Sequence, residues 1–531
     1  MQATSVPIIT YYQKTVKELD AEKEQAKHKE FEFDSKTGSY KDKYFQMDGW
    51  VSATDPEEKI KLFPLFGVSV HKVPLFSILQ GNYHTCSIIS SLLGLGNLIW
   101  DSKQEINPFS VVLPKGYLDH DGIYGTCFLD TGKLKTIFMD DRFDRQQFGP
   151  QPSKYAFSEE TPNPTSKFDC PRLLFTLIIE KGFMKLKDYS RKNPDSVVSR
   201  ADLCLHSMTG APADFVVHSE YTDFEQKMKE LIAPPNEKKE NASHGWKVLI
   251  AFCRGNKPVP RGSNMAHAFS IMGIDPQGGI LVRDPYGYIS GDAAPEFPLS
   301  ETQLSMRKRF REKSKHSQSD QYDDKPPELV CTWKEYLEWF EATVILHYNP
   351  NFQFSSNQIQ VKYVLGHKYN YTIEFKTLSP LDTEVNTGDR YYDKPESFLF
   401  YYFQLVSDVE DNLPRPICSP EGEPTTDNDP DVCVSTGKGR LKLERCLLEG
   451  EKKKKGISDK KNAIYQPIQY WGIKLQQGKT YEINFSISFT QEADVGPDQL
   501  ALLKKQYPKQ TNIGVVFYGR NKVKVISLTR N

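Results

Sequence analysis

Three short patches carry residues whose types and spacing could do nucleophilic chemistry. The first, Gln80-Gly81-Asn82-Tyr83-His84-Thr85-Cys86, leads into the apolar, helix-like run CSIISSLLGLGNLIW. A cysteine at a helix N-terminus feels the positive end of the helix dipole, which favours thiolate over thiol. Gln80, six positions upstream, can offer its side-chain NH2 to a developing oxyanion beside the Cys86 backbone N–H. The second patch, Asn264-Met265-Ala266-His267-Ala268-Phe269-Ser270, has a histidine opening a strand. An imidazole has the pKa needed to take a thiol proton and return it to a leaving amine. The third is Arg283-Asp284-Pro285-Tyr286-Gly287. In a hairpin, Asp284 can lie beside His267 and fix its tautomer and orientation. Each piece alone is ordinary: a lone buried cysteine is inert core, a strand-end histidine is structural, and Asp-Pro is a turn. Their order along the chain is what points to acyl transfer by Cys86, His267, Asp284 and Gln80.

The elements that must position these groups are legible from periodicity. Apolar residues at 88, 89, 92, 93, 95, 98 and 99 have helical spacing and predict a buried helix starting at Cys86. GIYGTCFLDT and KLKTIFMDDRF alternate about a Gly-containing turn and predict a hairpin. PRLLFTLIIEKGFMKLKDYS reads as an apolar helix and WKVLIAFC as a buried strand. AHAFSIMGID and GGILVRDPYG read as a strand pair joined through DPQGG. From about 348 onward the runs are short, aromatic or β-branched and separated by turns, which predicts a β-sandwich of about eight strands. A mixed front and an all-β back imply separate domains.

Residues 14–30 are charged and helix-prone with almost no apolar face, so they read as a solvated or partner-bound arm. Segments 233–245, 300–329, 411–432 and 450–461 read as solvated surface insertions. The chain has 531 residues and a formal net charge of −1, which gives no electrostatic reason to expect nucleic acid or an anionic membrane as a bulk partner. Nine cysteines without a CxxC pair or a zinc-like spacing suggest reduced thiols. No secretory leader and no membrane span are read, so a soluble cytoplasmic protein is expected.

QGNYHTCS, MAHAFS and DPYG, in this order, resemble the calpain family of cysteine proteases. That family carries a Gln-Gly-x-x-Gly-Asp-Cys-Trp loop, a Gly-His-Ala-Tyr strand and an Asn-Pro-Trp-Gly turn. GIYGTCFLDTGKLKTIFMDDRF, FTLIIEKGFMKL, TWKEYLEWFEATVILHYNP, GKTYEINFSISF and IGVVFYG look like further family segments. The resemblance covers roughly residues 45–531. It implies an α+β fold: a papain-like two-lobe cysteine protease core followed by a C-terminal all-β sandwich. The implied division is an arm at 1–44, a lobe with Cys86 at 45–215, a lobe with His267 and Asp284 at 216–347, and a C2-like sandwich at 348–531. It carries Gln80 to the oxyanion hole, Cys86 to nucleophile and His267 to general base. Asp284 falls where the family usually has asparagine; both accept from an imidazole N–H, and the added charge should raise the His267 pKa.

The resemblance implies no cofactor for the chemistry and calcium as a regulator. Glu180 matches a glutamate that joins a core calcium site in some members. No EF-hand loop is present, and the acidic run at 425–432 lacks the turn glycine and final glutamate of one. Around the nucleophile, His84-Thr85 replaces Gly-Asp, Ser87 replaces a tryptophan and Tyr286 replaces another. Loss of the paired tryptophans implies a wetter, looser cleft. His84 itself reads as a solvent-facing loop residue, with a local base and a metal ligand as the functional alternatives. Three functions follow. The first is a calpain-like endopeptidase acting on protein substrates. The second is a catalytically impaired calpain-like scaffold docked on a cytoskeletal or ciliary assembly. The third is transglutaminase-like acyl transfer, which shares the Cys-His-Asp chemistry.

Overall fold

The structure is a computed structural model of the chain. It describes residues 4–35, 39–44, 50–52, 62–63, 78, 80, 84–101, 107–114, 122–144, 172–187, 200–220, 224–226, 228, 246–253, 267–274, 279–285, 328–378, 398–407, 417–420, 432–436, 439–445, 467–489, 501 and 510–531. Among these, helices and several antiparallel sheets make a mixed α+β fold.

The N-terminal segment holds β1 (Thr4–Ser5), β2 (Tyr11–Tyr12), α1 (Val16–Glu30), β3 (Phe31–Asp34) and β4 (Ser39–Asp42). A capping box starts α1: the Thr15 hydroxyl accepts from the Glu18 N–H, and the Glu18 carboxylate accepts from the Thr15 N–H at 2.7 Å. The expectation of a solvated or partner-bound arm is corrected here. Leu19, Lys23 and Ala26 of α1 are buried against the rest of the chain. The apolar stripe of this helix is too thin to advertise burial; ion pairs complete the attachment. Lys185 reaches Asp42 at 2.7 Å and Glu30 at 3.1 Å. Sequence periodicity sees only apolar side chains, so it misses a face docked in this way.

The front lobe comprises β5 (Trp50–Ser52), β6 (Leu62–Phe63), α2 (Cys86–Asp101), β7 (Ile123–Asp130), β8 (Lys133–Asp140), β9 (Arg142–Asp144), β10 (Arg172–Leu173), α3 (Leu174–Leu186) and α4 (Ala201–Thr209). The predicted hairpin is β7–β8, with Asp130 opposite Lys133. Its turn residues Thr131 and Gly132 have φ of 45° and 80°, the left-handed region that a two-residue hairpin turn requires at both places. Ile88, Ile89, Leu92 and Leu93 of α2 are buried, as their spacing predicts.

The second lobe is a six-stranded antiparallel sheet. Its strands are β11 (Ala213–Val217), β12 (Trp246–Cys253), β13 (His267–Ile274), β14 (Gly279–Arg283), β15 (Glu328–Thr332) and β16 (Ala342–Tyr348), with α5 (Trp333–Trp339) before the last. Their order is β11-β16-β12-β13-β14-β15. β11 spans the expected boundary at 215/216 yet pairs along its whole length with β16.

The C-terminal strands are β17 (Gln353–Lys362), β18 (Lys368–Thr377), β19 (Phe398–Ser407), β20 (Ile417–Pro420), β21 (Val432–Thr436), β22 (Gly439–Arg445), β23 (Ile468–Gln476), β24 (Thr480–Ser488), β25 (Gln510–Gly519) and β26 (Val523–Arg530). They run β26-β18-β24-β21-β22-β23-β19-β25-β17, with β1 added beside β26 and β2 beside β17. The path doubles back, and its two halves share one core. Phe375 of β18 meets Phe517 of β25 at 4.5 Å between ring centroids, and Phe403 of β19 meets Phe485 of β24 at 6.1 Å. The insertion expected at 411–432 is not all loop, because β20 within it pairs with β24. Segments 233–245, 300–327 and 450–461, the acidic residues 425–431 and Tyr286 lie outside the described residues.

The front lobe and the sandwich do not have separate cores. Leu92 and Phe128 belong to one buried cluster with Phe354, Tyr402 and Val516. The β7–β8 turn presses on the sandwich so closely that a Cβ on Gly132 would lie 2.1 Å from the Asn357 carbonyl. Gln358 donates from Nε2 to the Thr131 carbonyl at 3.0 Å. Among the described residues, no helix is long and apolar enough to cross a membrane.

Candidate active site

Helix α2 begins where the chemistry requires. The Thr85 carbonyl accepts from the N–H groups of Ile88 at 2.9 Å and Ile89 at 3.0 Å, so Cys86 stands in the first turn. The Thr85 hydroxyl does not close that turn. It donates to Glu180 Oε1 on α3 at 2.6 Å, and both side chains are buried. Deeper in the helix, Gly94 allows contact with β12: an added Cβ would lie 2.5 Å from Val248 Cγ1. At the far end, Asn97 donates from Nδ2 to the Met272 carbonyl of β13 at 3.0 Å.

His267 is the first residue of β13, opposite Cys253 on β12. Strand β14 pairs with β13 up to Ser270 opposite Arg283, and Asp284 follows immediately. Side chains alternate along a strand, so continuing that register puts Asp284 across from Phe269, on the face that also carries His267. His267 Nε2 and Asp284 Oδ1 are 3.1 Å apart, and both residues are buried. That contact leaves Nδ1 for the hydrogen bond between His267 and Cys86. The Phe269 ring stands edge-on to the imidazole at 4.6 Å and is itself backed by Phe340 at 5.3 Å.

The electrostatics follow from this line of three groups. Burial pushes the Cys86 thiol up, but the hydrogen bond and charge of His267 outweigh it, helped by the backbone N–H groups of Ala268 and Ser87, and the thiol ends below its ordinary value. Burial pushes His267 down, yet its hydrogen bonds to Asp284 and Cys86 raise it to about 10. Between those values the pair is thiolate and imidazolium, the form that a cysteine nucleophile uses. Cys253, buried behind the site, goes the other way, to about 12, because burial dominates there.

Of the residues singled out in the sequence, Cys86, His267 and Asp284 are thus brought into one hydrogen-bonded line. Gln80 is buried, and its backbone N–H donates to the Pro285 carbonyl at 2.7 Å. The approach loop is thereby tied to the turn that carries Asp284. His84 is exposed. Glu180 lies in the interior, taking up the Thr85 hydroxyl. Among the described residues, no group of three His, Cys, Asp or Glu side chains gathers to hold a metal.

No protein-family model matches the chain, and no curated protein sequence matches it.

Sequence reasoning missed a second buried histidine–carboxylate pair, where the second lobe meets the sandwich. His347 of β16 contacts Asp214 of β11, Nε2 to Oδ2 at 2.8 Å. Tyr470 of β23 donates its hydroxyl to the same Oδ2 at 2.6 Å, and Lys247 Nζ lies 2.5 Å from His347 Nδ1. The polar residues Asp214 and His347 inside apolar strands, ADFVV and ATVILHY, were the available signal, since a buried charge requires a partner.

Proposed function

We propose that this chain is a cysteine endopeptidase with a papain-like, calpain-type two-lobe core. The observation that carries the reading is the line Cys86–His267–Asp284, with the sulfur at the first turn of α2 and the thiol lowered by the imidazole beside it. The Cys86 thiolate adds to the carbonyl carbon of a substrate peptide bond. A C–S bond forms and the carbonyl π pair moves onto oxygen. The Cys86 N–H and the Gln80 side chain stabilise that oxyanion. The oxyanion collapses, the C–N bond breaks, and the His267 imidazolium gives its proton to the departing amine, leaving a thioester. Water then loses a proton to His267 and adds to the thioester carbon. The C–S bond breaks, and the acid product leaves thiolate and imidazolium restored. Asp284 holds the ring and stabilises its charged form throughout.

The test reads alkylation of Cys86 by iodoacetamide against pH, followed by peptide mass mapping. The expected midpoint lies below the ordinary thiol value of about 8.5. An unfolded protein substrate should be cleaved, and Cys86→Ser should lower that cleavage by at least about a thousandfold. A midpoint at or above the ordinary value, with cleavage equal in the variant, would leave the scaffold reading, in which the fold serves as a docking surface.

A further inference from the structure

Strand β13 is paired by β14 only from Ser270 onward. One position past His267, the Ala268 peptide takes its partners from α2. Its N–H bonds the Cys86 sulfur, and its carbonyl accepts the Ser90 hydroxyl at 2.8 Å. Two residues along the strand, the Ser270 hydroxyl donates back to the Ser90 carbonyl at 2.5 Å. Ser90 and Ser270 are fully buried. Ser90 lies four residues after Cys86, about one helical turn along the same face. The two serine hydroxyls therefore cross between the helix of the nucleophile and the strand of the base, within one turn of the sulfur on one side and three residues of the imidazole on the other.

We propose that Ser90 and Ser270 are positioning residues for the Cys86–His267 pair. This assignment rests on the cysteine-protease reading. A helix on a sheet can slide along apolar side chains at little cost, because dispersion contacts are non-directional. One hydroxyl bond from helix to strand backbone and one from strand to helix backbone remove that freedom, and they fix the sulfur and ring nitrogen at bonding distance. Nothing else about serine recommends it here. It is a weak helix former and a polar residue in the middle of an apolar run.

The experiment measures the alkylation-versus-pH profile of Cys86 in the full chain for wild type, Ser270→Ala, Ser90→Ala and Asn97→Ala, with a thermal melt for each. Ser270→Ala removes a single hydroxyl, so it keeps the test open even where Ser90→Ala folds poorly. The serine variants should move the midpoint upward and slow labelling at pH 7 by about three- to tenfold, the worth of one net hydrogen bond. Asn97→Ala removes a comparable helix-to-strand bond at the distant end of α2. It should lower the melting temperature while leaving the profile in place. A wild type with a low midpoint and serine variants that superimpose on it overturns the clip alone. So does an Asn97→Ala profile shifted as far as theirs, since the effect would then be general docking. A wild-type Cys86 with an ordinary midpoint overturns the nucleophile assignment and the clip with it.

Discussion

Among the described residues, two buried histidine–aspartate pairs have nearly equal geometry and opposite electrostatics. His267 meets Asp284 at 3.1 Å beside Cys86, in the proposed cleft, and His347 meets Asp214 at 2.8 Å where the second sheet joins the sandwich. Burial pushes both imidazoles down. At the cleft, hydrogen bonds to the carboxylate and the cysteine reverse this and take His267 to about 10. At the interface the ammonium of Lys247 sits on the remaining ring nitrogen and adds to the fall, so His347 ends below its ordinary value despite Asp214. A carboxylate beside a histidine therefore does not define its charge. The group on the other nitrogen adds to burial in setting it: a thiol that can ionise makes a thiolate–imidazolium pair, and a fixed cation makes a neutral hydrogen-bonded latch.

The comparison can be broken most forcefully at the interface. His347→Ala should destabilise the fold by about 3 kcal/mol in denaturant unfolding, because it leaves a cavity and takes one of two hydrogen-bond donors from the buried Asp214 carboxylate, Tyr470 keeping the other. Cys86 in the folded fraction should keep its alkylation profile. At the cleft, Asp284→Asn keeps an acceptor but removes the charge. The His267 value should fall from about 10, drawing the alkaline limb of a cleavage-versus-pH profile to lower pH. A fall of about one unit still leaves the imidazolium formed at pH 7, so the rate there should drop by less than about tenfold while the alkaline limb moves. Gly94→Ala acts on the Cys86 side by pushing α2 from Val248. A net loss of about 1 kcal/mol should appear in unfolding experiments, since overpacking outweighs the gain in helix propensity, together with slower Cys86 labelling.

The smallest effect concerns acid. His347 has a depressed value in the folded state, so below about 6.5 the unfolded chain takes up the proton more readily and stability declines as pH falls. Lys247→Met removes the repelling cation and lets a protonated His347 pair with Asp214. The variant should therefore lose less melting temperature than wild type between pH 6.5 and 5. An equal loss in both proteins would show that Lys247 does not set the charge of the latch.

How much of this was readable beforehand differs between the two pairs. The cleft pair lies on adjacent elements of one hairpin, and Cys86 opens a helix whose apolar spacing is plain, so local pattern carried both. Asp214 and His347 are 133 positions apart and meet only through the pairing of β11 with β16. No local signal encodes such a contact. α4 was missed for a related reason: Asp202, His206 and Thr209 look like surface residues, yet all are buried. Their partners are Arg200, the Ala211 carbonyl and the Leu205 carbonyl. The N-terminal segment was misjudged because its attachment relies on Lys185, Asp42 and Glu30 rather than on an apolar stripe.

The hairpin turn at Thr131–Gly132 has a mechanical consequence. It abuts the backbone of the sandwich with no side chain between to give way, so the hairpin behaves as a strut. Its other end holds Asp140, paired with the buried Lys181 of α3. The neighbour of that lysine, Glu180, receives the hydroxyl of Thr85, one residue before Cys86. A load placed on the sandwich at Asn357 has no soft joint to absorb it before α3. Rocking the sandwich against the front lobe must either bend the β7–β8 hairpin or carry the start of α2 along with it.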